Sequence, residues 1–218
     1  MDKNHLDGGI MERTGLFITL EGVDGCGKTT QAKLIVDALE AAGHEVVKVR
    51  EPGGARLSEK IRLMVLDPGN TDMCDECELL LYEAARAQNV REVIEPALKR
   101  GATVVCDRFY DSTYAYQAAG RGLATDKVRA ANELGSCGLV PDVTLVFDLD
   151  PDRAFGRAVQ EGADRLEGEG MDFQQRVRSG YAQLAQEEPQ RVRMVDASGS
   201  IEVVYSRVVA ALRDFVLL

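Results

Sequence analysis

The chain lacks the long apolar runs and the targeting pattern that would place it in or across a membrane. None of its apolar stretches approaches the ~20 residues that a spanning helix needs. Met1–Ile10 is polar and lacks the basic-then-apolar order of a signal peptide. We therefore expect a cytoplasmic protein with no membrane partner, and we predict a flexible N-terminal extension over residues 1–14.

Cysteine and histidine are also scarce. The chain has five cysteines and two histidines, and an odd cysteine count without dense spacing is typical of reduced thiols in the cytosol. Cys74 and Cys77 form a C-x-x-C pair in an acidic stretch. No second pair of cysteines or histidines appears, as a zinc site would require. The sequence therefore does not favour a disulfide framework or a structural metal.

Basic residues are fewer than acidic residues in this chain. The chain carries 26 lysines and arginines against 36 aspartates and glutamates, a net charge of −10. This balance argues against a nucleic-acid partner, because the phosphate backbone would be repelled. A small anionic substrate stays compatible, since a local arginine cluster can override the mean charge. With 218 residues, 45% of them hydrophobic, we expect one α/β core and a single domain over residues 15–218.

What the chain does contain is a phosphate-binding loop. Residues 22–29 match G-x-x-x-x-G-K-[S/T], whose backbone N–H groups wrap the phosphates of a nucleotide. An apolar run at 16–20 leads into the loop as a strand, and residues 29–42 follow as an amphipathic helix. The pattern predicts an ATP site formed by Gly22, Val23, Asp24, Gly25, Cys26, Gly27, Lys28, Thr29 and Thr30.

The sequence also predicts roles for individual residues in and near this loop. Lys28 is expected to reach the terminal phosphates, and Thr29 to offer its hydroxyl to Mg²⁺. Asp107 ends the apolar strand 103–107 as a second Mg²⁺ residue, often acting through water. Arg108 follows it at the carboxyl end of a strand, where α/β sheets bind ligands. The alternative for Arg108 is a structural ion pair with Asp107.

Strand-like and helix-like runs alternate along the whole chain. This order predicts an α/β fold with a parallel sheet between helical layers, the three-layer arrangement of P-loop NTPases. The predicted strands are Leu16–Glu21, Glu45–Arg50, Thr103–Asp107, Val143–Asp148 and Arg191–Asp196. The predicted helices are Lys28–Ala42, Leu57–Leu66, Glu78–Lys99, Ser112–Ala119, Asp126–Ser136, Pro151–Gln160, Asp172–Gln186 and Ile201–Val216. The polar break Glu161–Gly170 predicts a short mobile lid at about 157–171.

Three further side chains have two interpretations each. Arg62, on the helix after the second strand, projects either towards the site or into solvent. Tyr82 and Arg86 are four residues apart and share one helix face. The ring could stack on a flat base while the guanidinium donates to a carbonyl. The plainer alternative is a core tyrosine with a solvated arginine.

Taken together, these motifs resemble bacterial thymidylate kinases. The resemblance rests on the loop 22–30, on Glu51-Pro-Gly-Gly54, on the Tyr82 and Arg86 pair and on Asp107-Arg-Phe109 followed by residues 112–117. Gly120-Arg-Gly122 and Asp164-Arg-Leu-Glu167 fit as well. The matching motifs occur in the same order as in that family, and together they cover nearly the whole chain.

The resemblance implies transfer of the ATP γ-phosphoryl group to dTMP with Mg²⁺, and a homodimer. It also implies a role for each matching residue. Tyr82 would stack on thymine and Arg86 would bind its O4, while Thr113 and Gln117 would lie along the base edge. Arg62 and Arg108 would hold the dTMP phosphate, Asp24 would meet the sugar 3′-hydroxyl, and Glu51 would order that region. The catalytic set would be Lys28, Arg165, Arg157, Arg108 and Asp24.

The family supplies a catalytic arginine either from the loop or from the lid. The loop interior here is Val-Asp-Gly-Cys, so the chain resembles the lid form. Its candidates are Arg165, which we favour for its Asp-Arg-Leu-Glu context, then Arg157 and Arg153. The chain departs from its relatives after Arg157, where further arginines are usual and Val159 and Glu161 stand instead.

Two other functions fit parts of this pattern. The first is a kinase for another nucleotide such as dUMP, because one missing methyl group is worth only ~1–3 kcal/mol of discrimination. The second is a regulatory ATPase without a small acceptor, which would not need the set Tyr82, Arg86, Arg108 and Gln117.

Overall fold

The computed structural model of the chain describes residues 13–158 and 165–216, apart from the side chains of 155–158 and 167. Residues 1–12 of the predicted extension and 159–164 of the predicted lid lie outside the described residues. Arg13, inside the predicted extension, donates to Asp142 Oδ1 and to the Val140 carbonyl, both at 2.9 Å. Within the described ranges, no helix is long and apolar enough to span a membrane.

Five parallel strands form one sheet in the order β2-β3-β1-β4-β5. This confirms the predicted α/β fold with a parallel sheet. Every predicted strand ends at the observed residue and begins at it or one residue before it. The strands are β1 Phe17–Glu21, β2 Val46–Arg50, β3 Thr103–Asp107, β4 Val143–Asp148 and β5 Val192–Asp196.

Helices connect the strands and cover the sheet. They are α1 Lys28–Ala41, α2 Arg56–Leu66, α3 Asp75–Asn89, α4 Glu95–Lys99, α5 Tyr110–Thr113, α6 Thr125–Gly135, α7 Pro151–Ala158, α8 Met171–Glu187 and α9 Ile201–Leu212. The long helix predicted at 78–99 is α3 and α4 joined by a π-helical segment, Val90–Ile94. A second π-helical segment, Tyr114–Gly120, continues α5. Such segments are rare and are often found at functional sites.

Alternation along β1 places apolar side chains on both faces of the sheet. Phe17 packs in a cluster with Cys106 and Leu98, whereas Ile18 and Leu20 pack in another with Ile35 of α1. Both faces are therefore buried under helices, as a parallel sheet requires.

The register brings the carboxyl ends of three strands to one edge. Leu20 of β1 and Arg50 of β2 both lie opposite Asp107 of β3. The residues that follow these strands are therefore neighbours, and they form the site.

Candidate active site

The loop between β1 and α1 folds around the amine of Lys28. Lys28 Nζ donates to the carbonyls of Gly22 at 2.9 Å and Val23 at 3.0 Å. The backbone approaches β4 closely at Gly22, because a Cβ there would lie 2.6 Å from the Phe147 carbonyl oxygen. The loop shape therefore depends on a glycine at this position and on a lysine that reaches back over it.

Thr29 and Asp107 meet where Mg²⁺ was predicted. The Thr29 hydroxyl donates to Asp107 Oδ2 at 3.3 Å. A hydroxyl and a carboxylate are suitable oxygen ligands, and Mg²⁺ usually keeps water and substrate phosphate oxygens in its remaining positions. Among residues 13–158 and 165–216, no cluster of three acidic, cysteine or histidine side chains could hold a metal alone. The pair therefore fits a metal that arrives with a nucleotide.

Asp24 lies between the loop lysine and Arg108. Arg108 donates to Asp24 Oδ1 at 2.6 Å, and Lys28 Nζ lies 3.8 Å from the same oxygen. Burial alone would raise the pKa of Asp24, but the charges of Arg108 and Lys28 outweigh it and lower that pKa to about 2. Asp24 is therefore a carboxylate at any physiological pH, and it joins the loop to the neighbouring cavity.

Arg108 occupies a strained turn that Glu21 supports. Its φ of 71° lies in the left-handed region, which is uncommon for a residue with a side chain. Fully buried Glu21 accepts the next backbone N–H, from Phe109, at 2.7 Å. Glu21 also accepts from Ser112 Oγ at 2.5 Å and Tyr181 Oη at 2.9 Å, and both hydroxyls face the Arg108 guanidinium. Glu21 thus holds both the backbone and the side chain of Arg108.

Beside the loop lies a cavity of about 100 Å³. All eight residues predicted to bind a substrate line it: Asp24, Glu51, Arg62, Tyr82, Arg86, Arg108, Thr113 and Gln117. The structure therefore brings together side chains from the phosphate-binding loop, from the turns that follow β2 and β3, from α2 and α3, and from the helical segment 110–120. For Arg62, Tyr82 and Arg86, this position favours the site over the solvent-facing or core alternative.

Arg86 lies in a buried ion-pair network at the end of the cavity. It is 2% exposed, donates to Glu51 Oε2 at 2.7 Å and pairs with Glu83. Burial would lower the pKa of Arg86, but the two carboxylates raise it above its ordinary value. Asn89 Nδ2 donates to the second oxygen of Glu51 at 3.1 Å. The guanidinium is thereby fixed in orientation and in charge.

The structure describes the three predicted lid arginines to different extents. Arg165 pairs with Glu78, and its Nε donates to the Val65 carbonyl at 3.2 Å. In this arrangement its guanidinium contacts α2 and α3 and not the phosphate-binding loop. Arg153 is exposed on α7. The Arg157 side chain lies outside the described residues.

Several residues near the cavity were not predicted as site residues. Pro52, Leu66, Ser112, Tyr116 and Leu166 also line it. Ser112 and Tyr116 lie in the motif 112–117 on which the resemblance rests, so that motif is a signal that could have found them. Leu166 follows Arg165 in the sequence, and its place in the cavity depends on tertiary packing that no local pattern predicts.

Comparison with known proteins places these observations in a family. The family model described as thymidylate kinase matches residues 20–208. The chain belongs to the thymidylate kinase family. The thymidylate kinase of Desulfosudis oleivorans is 51% identical over 205 residues, which cover 90% of this chain and 96% of that protein. The Pseudomonas putida thymidylate kinase is 47% identical, with coverage of 93% and 97%.

A solved structure supports the same assignment. The crystal structure of thymidylate kinase from Ehrlichia chaffeensis is similar with a TM-score of 0.76 and 32% identity. The similarity covers 91% of this chain and 98% of that one. The fold is therefore the P-loop NTPase sandwich of this family, as the sequence predicted.

Proposed function

We propose that the chain transfers the γ-phosphoryl group of ATP to dTMP, giving dTDP and ADP. One observation carries the proposal: the eight predicted substrate residues line a single cavity next to the phosphate-binding loop. A regulatory ATPase has no need of an arginine-lined cavity beside its nucleotide. Family membership over residues 20–208 supports the same activity.

The base would lie at the Arg86 end of the cavity. In this arrangement the Tyr82 ring stacks on thymine and Arg86 donates to O4, while Thr113 and Gln117 lie along the base edge. Arg62 and Arg108 hold the phosphate, Asp24 accepts from the sugar hydroxyl, and Glu51 keeps Arg86 in place. This arrangement points the dTMP phosphate towards Lys28.

The chemistry then depends mainly on charge and position. A phosphate monoester has a second pKa of about 6, so the acceptor is ionised near neutral pH without a strong base. The difficulty is to bring two anions into line, and Lys28, Arg108 and Arg62 counter that repulsion. Mg²⁺, held at Thr29 and Asp107, would neutralise charge on the ATP phosphates.

A lid arginine would complete the charge balance. We keep Arg165 as the first candidate, then Arg157 and Arg153. To reach the transferred group, Arg165 would leave Glu78, to which it is bound in this structure. Exchange between a carboxylate and a phosphate is within the chemistry of a guanidinium, because both accept two parallel hydrogen bonds.

We also propose that the protein is a cytoplasmic homodimer. All five cysteines are free thiols, which supports a reducing compartment. Helix α3 packs against both α2 and α6, and each of the three carries an exposed leucine: Leu63 is 76%, Leu80 63% and Leu134 81% exposed. Apolar area of this kind supports pairing with a second copy. Light scattering coupled to size exclusion measures this directly.

A panel of acceptors tests the activity. ADP release is followed in a coupled assay with ATP and each of dTMP, dUMP, dAMP and dCMP. We expect turnover with dTMP, weaker turnover with dUMP, and little with the others. ADP release that does not depend on an acceptor would support the regulatory ATPase instead.

A further inference from the structure

Two side chains on the base edge of the cavity donate hydrogen bonds to buried carboxylates. Gln117 Nε2 donates to Glu78 Oε1 at 2.8 Å. Thr113 Oγ1 donates to Glu83 Oε1 at 3.1 Å. Glu78 is 0% exposed and Glu83 is 6% exposed. The proposed function assigns both Thr113 and Gln117 to the base edge. Each of them therefore donates a hydrogen bond to a buried glutamate.

Glu78 fixes which end of the Gln117 amide faces the cavity. An ionised carboxylate has no hydrogen and can only accept. Burial would raise the pKa of Glu78, but hydrogen bonds from Arg121 and Gln117 and the charges of Arg121 and Arg165 keep it below its usual value. The NH₂ end of Gln117 must therefore point to Glu78. Its amide oxygen, an acceptor, is the end left for a ligand.

The hydroxyl of Thr113 is also oriented by a hydrogen bond to a glutamate. This hydroxyl has one hydrogen, which it donates to Glu83, so its lone pairs remain for the cavity. Arg86 has the opposite polarity, because a guanidinium only donates. The cavity edge therefore presents a fixed donor from Arg86 beside two fixed acceptors.

We propose that Glu78 is a specificity-determining positioning residue, which makes the pocket select a base with a ring N–H next to a carbonyl. Thymine matches this edge, since its N3–H donates and its O4 accepts. Cytosine reverses both groups, with an unprotonated N3 and a 4-amino group that donates. The inference rests on the proposed function and adds the reason why dTMP is accepted and dCMP is rejected.

Replacement of the carboxylate by an amide tests this directly. In Glu78→Gln the group behind Gln117 can donate as well as accept, so the Gln117 amide is free to turn. Dissociation constants for dTMP and dCMP are measured by calorimetry or by competition. We expect the ratio of the dCMP constant to the dTMP constant to fall by about tenfold, since one buried mismatch is relieved.

Glu169 provides a matched control. Glu169 also pairs with Arg121, and Glu169→Gln makes the same chemical change without touching Gln117. In Glu169→Gln, the ratio of the dCMP dissociation constant to the dTMP dissociation constant should equal that of the unmutated protein. Glu78→Gln in a Gln117→Met background should have no further effect on the ratio, because the residue that reads the base is gone.

Equal weakening of dTMP and dCMP binding in Glu78→Gln would overturn the inference and leave a purely structural role. If that variant does not fold, NMR of the unmutated protein decides. The Gln117 side-chain amide signal, assigned by its loss in Gln117→Met, should be shifted downfield and protected from exchange. A rapidly exchanging amide would also overturn the inference. Failure of the unmutated protein to bind dTMP at all would overturn the proposed function itself.

Discussion

The two halves of the site are built by different means. The phosphate-binding half is one continuous loop at 22–30, held by its own backbone and by Lys28. The acceptor half takes side chains from several separate elements and fixes them with buried ion pairs, as at Arg86. The first half should tolerate loss of a side chain without unfolding. The second should lose stability together with affinity, because an unpaired buried charge is costly.

The largest effect should come from Lys28→Ala. Removal of the amine takes away the charge expected at the terminal phosphates, so we expect turnover to fall by at least about a thousandfold. The melting temperature and dTMP affinity should change little, since the acceptor half is intact. Lys33→Ala, on the exposed part of α1 where Lys33 pairs with Asp37, is the matched control and should behave like the unmutated protein. Global unfolding of Lys28→Ala would contradict the claim that the phosphate-binding half tolerates the loss of a side chain.

Arg86→Met should show the opposite behaviour. It leaves Glu51 and Glu83 as buried carboxylates without their partner, at a cost of about 3–5 kcal/mol in the free energy of unfolding. Urea unfolding and dTMP calorimetry measure both consequences, and both should worsen. Arg91→Met removes an ion pair whose arginine is 59% exposed, and it should cost less than about 1 kcal/mol. Similar costs for the two variants would contradict the account.

Arg165→Ala tests the first candidate for the proposed catalytic arginine of the predicted lid. We expect kcat to fall on the order of a hundredfold while dTMP affinity stays close to that of the unmutated protein. Arg157→Ala and Arg153→Ala serve as parallel tests under identical conditions. Unchanged turnover in Arg165→Ala would transfer the proposed role to whichever of these variants loses activity.

The smallest effect is a pH dependence at Glu21, which precedes the loop but supports the acceptor half. Burial, with a contribution from the Asp111 carboxylate, raises the pKa of Glu21 from 4.5 to about 7, against the opposing effects of Ser112, Arg108 and Phe109. The folded state therefore binds the proton more tightly than the unfolded state. Its contribution to stability is greatest below about pH 4.5 and is lost as pH rises towards 7.

Glu21→Gln removes this titration. The difference in unfolding free energy, variant minus unmutated protein, should increase by about 1–3 kcal/mol between pH 5 and pH 8. Asp111, Arg108 and Tyr181 face this carboxyl and are unchanged in the variant. A difference that stays constant over this range would show that Glu21 does not titrate there.

Sequence patterns were enough to predict almost all of the phosphate-binding half. Its residues are adjacent in the chain, and the flanking strand and helix follow from local hydrophobic patterns, so the loop and the strand ends could be predicted. The acceptor residues lie up to 93 positions apart, from Asp24 to Gln117, and only the family resemblance assigned them together.

The supporting acids could not be predicted in the same way. Glu21, Glu78 and Glu83 look like ordinary charged residues in the sequence, and their function depends on burial beside particular partners. The π-helical segments after α3 and α5 shift the helical spacing, so residue intervals alone do not give the direction of side chains such as Gln117. Tertiary packing decides both features.

Calorimetry of dTMP binding tests the central claim most directly. Titration of dTMP into the folded protein without ATP should give saturable binding at one site per chain. Binding should persist in Lys28→Ala and be lost or strongly weakened in Arg86→Met. No binding heat at several temperatures, from protein shown to be folded, would contradict the account.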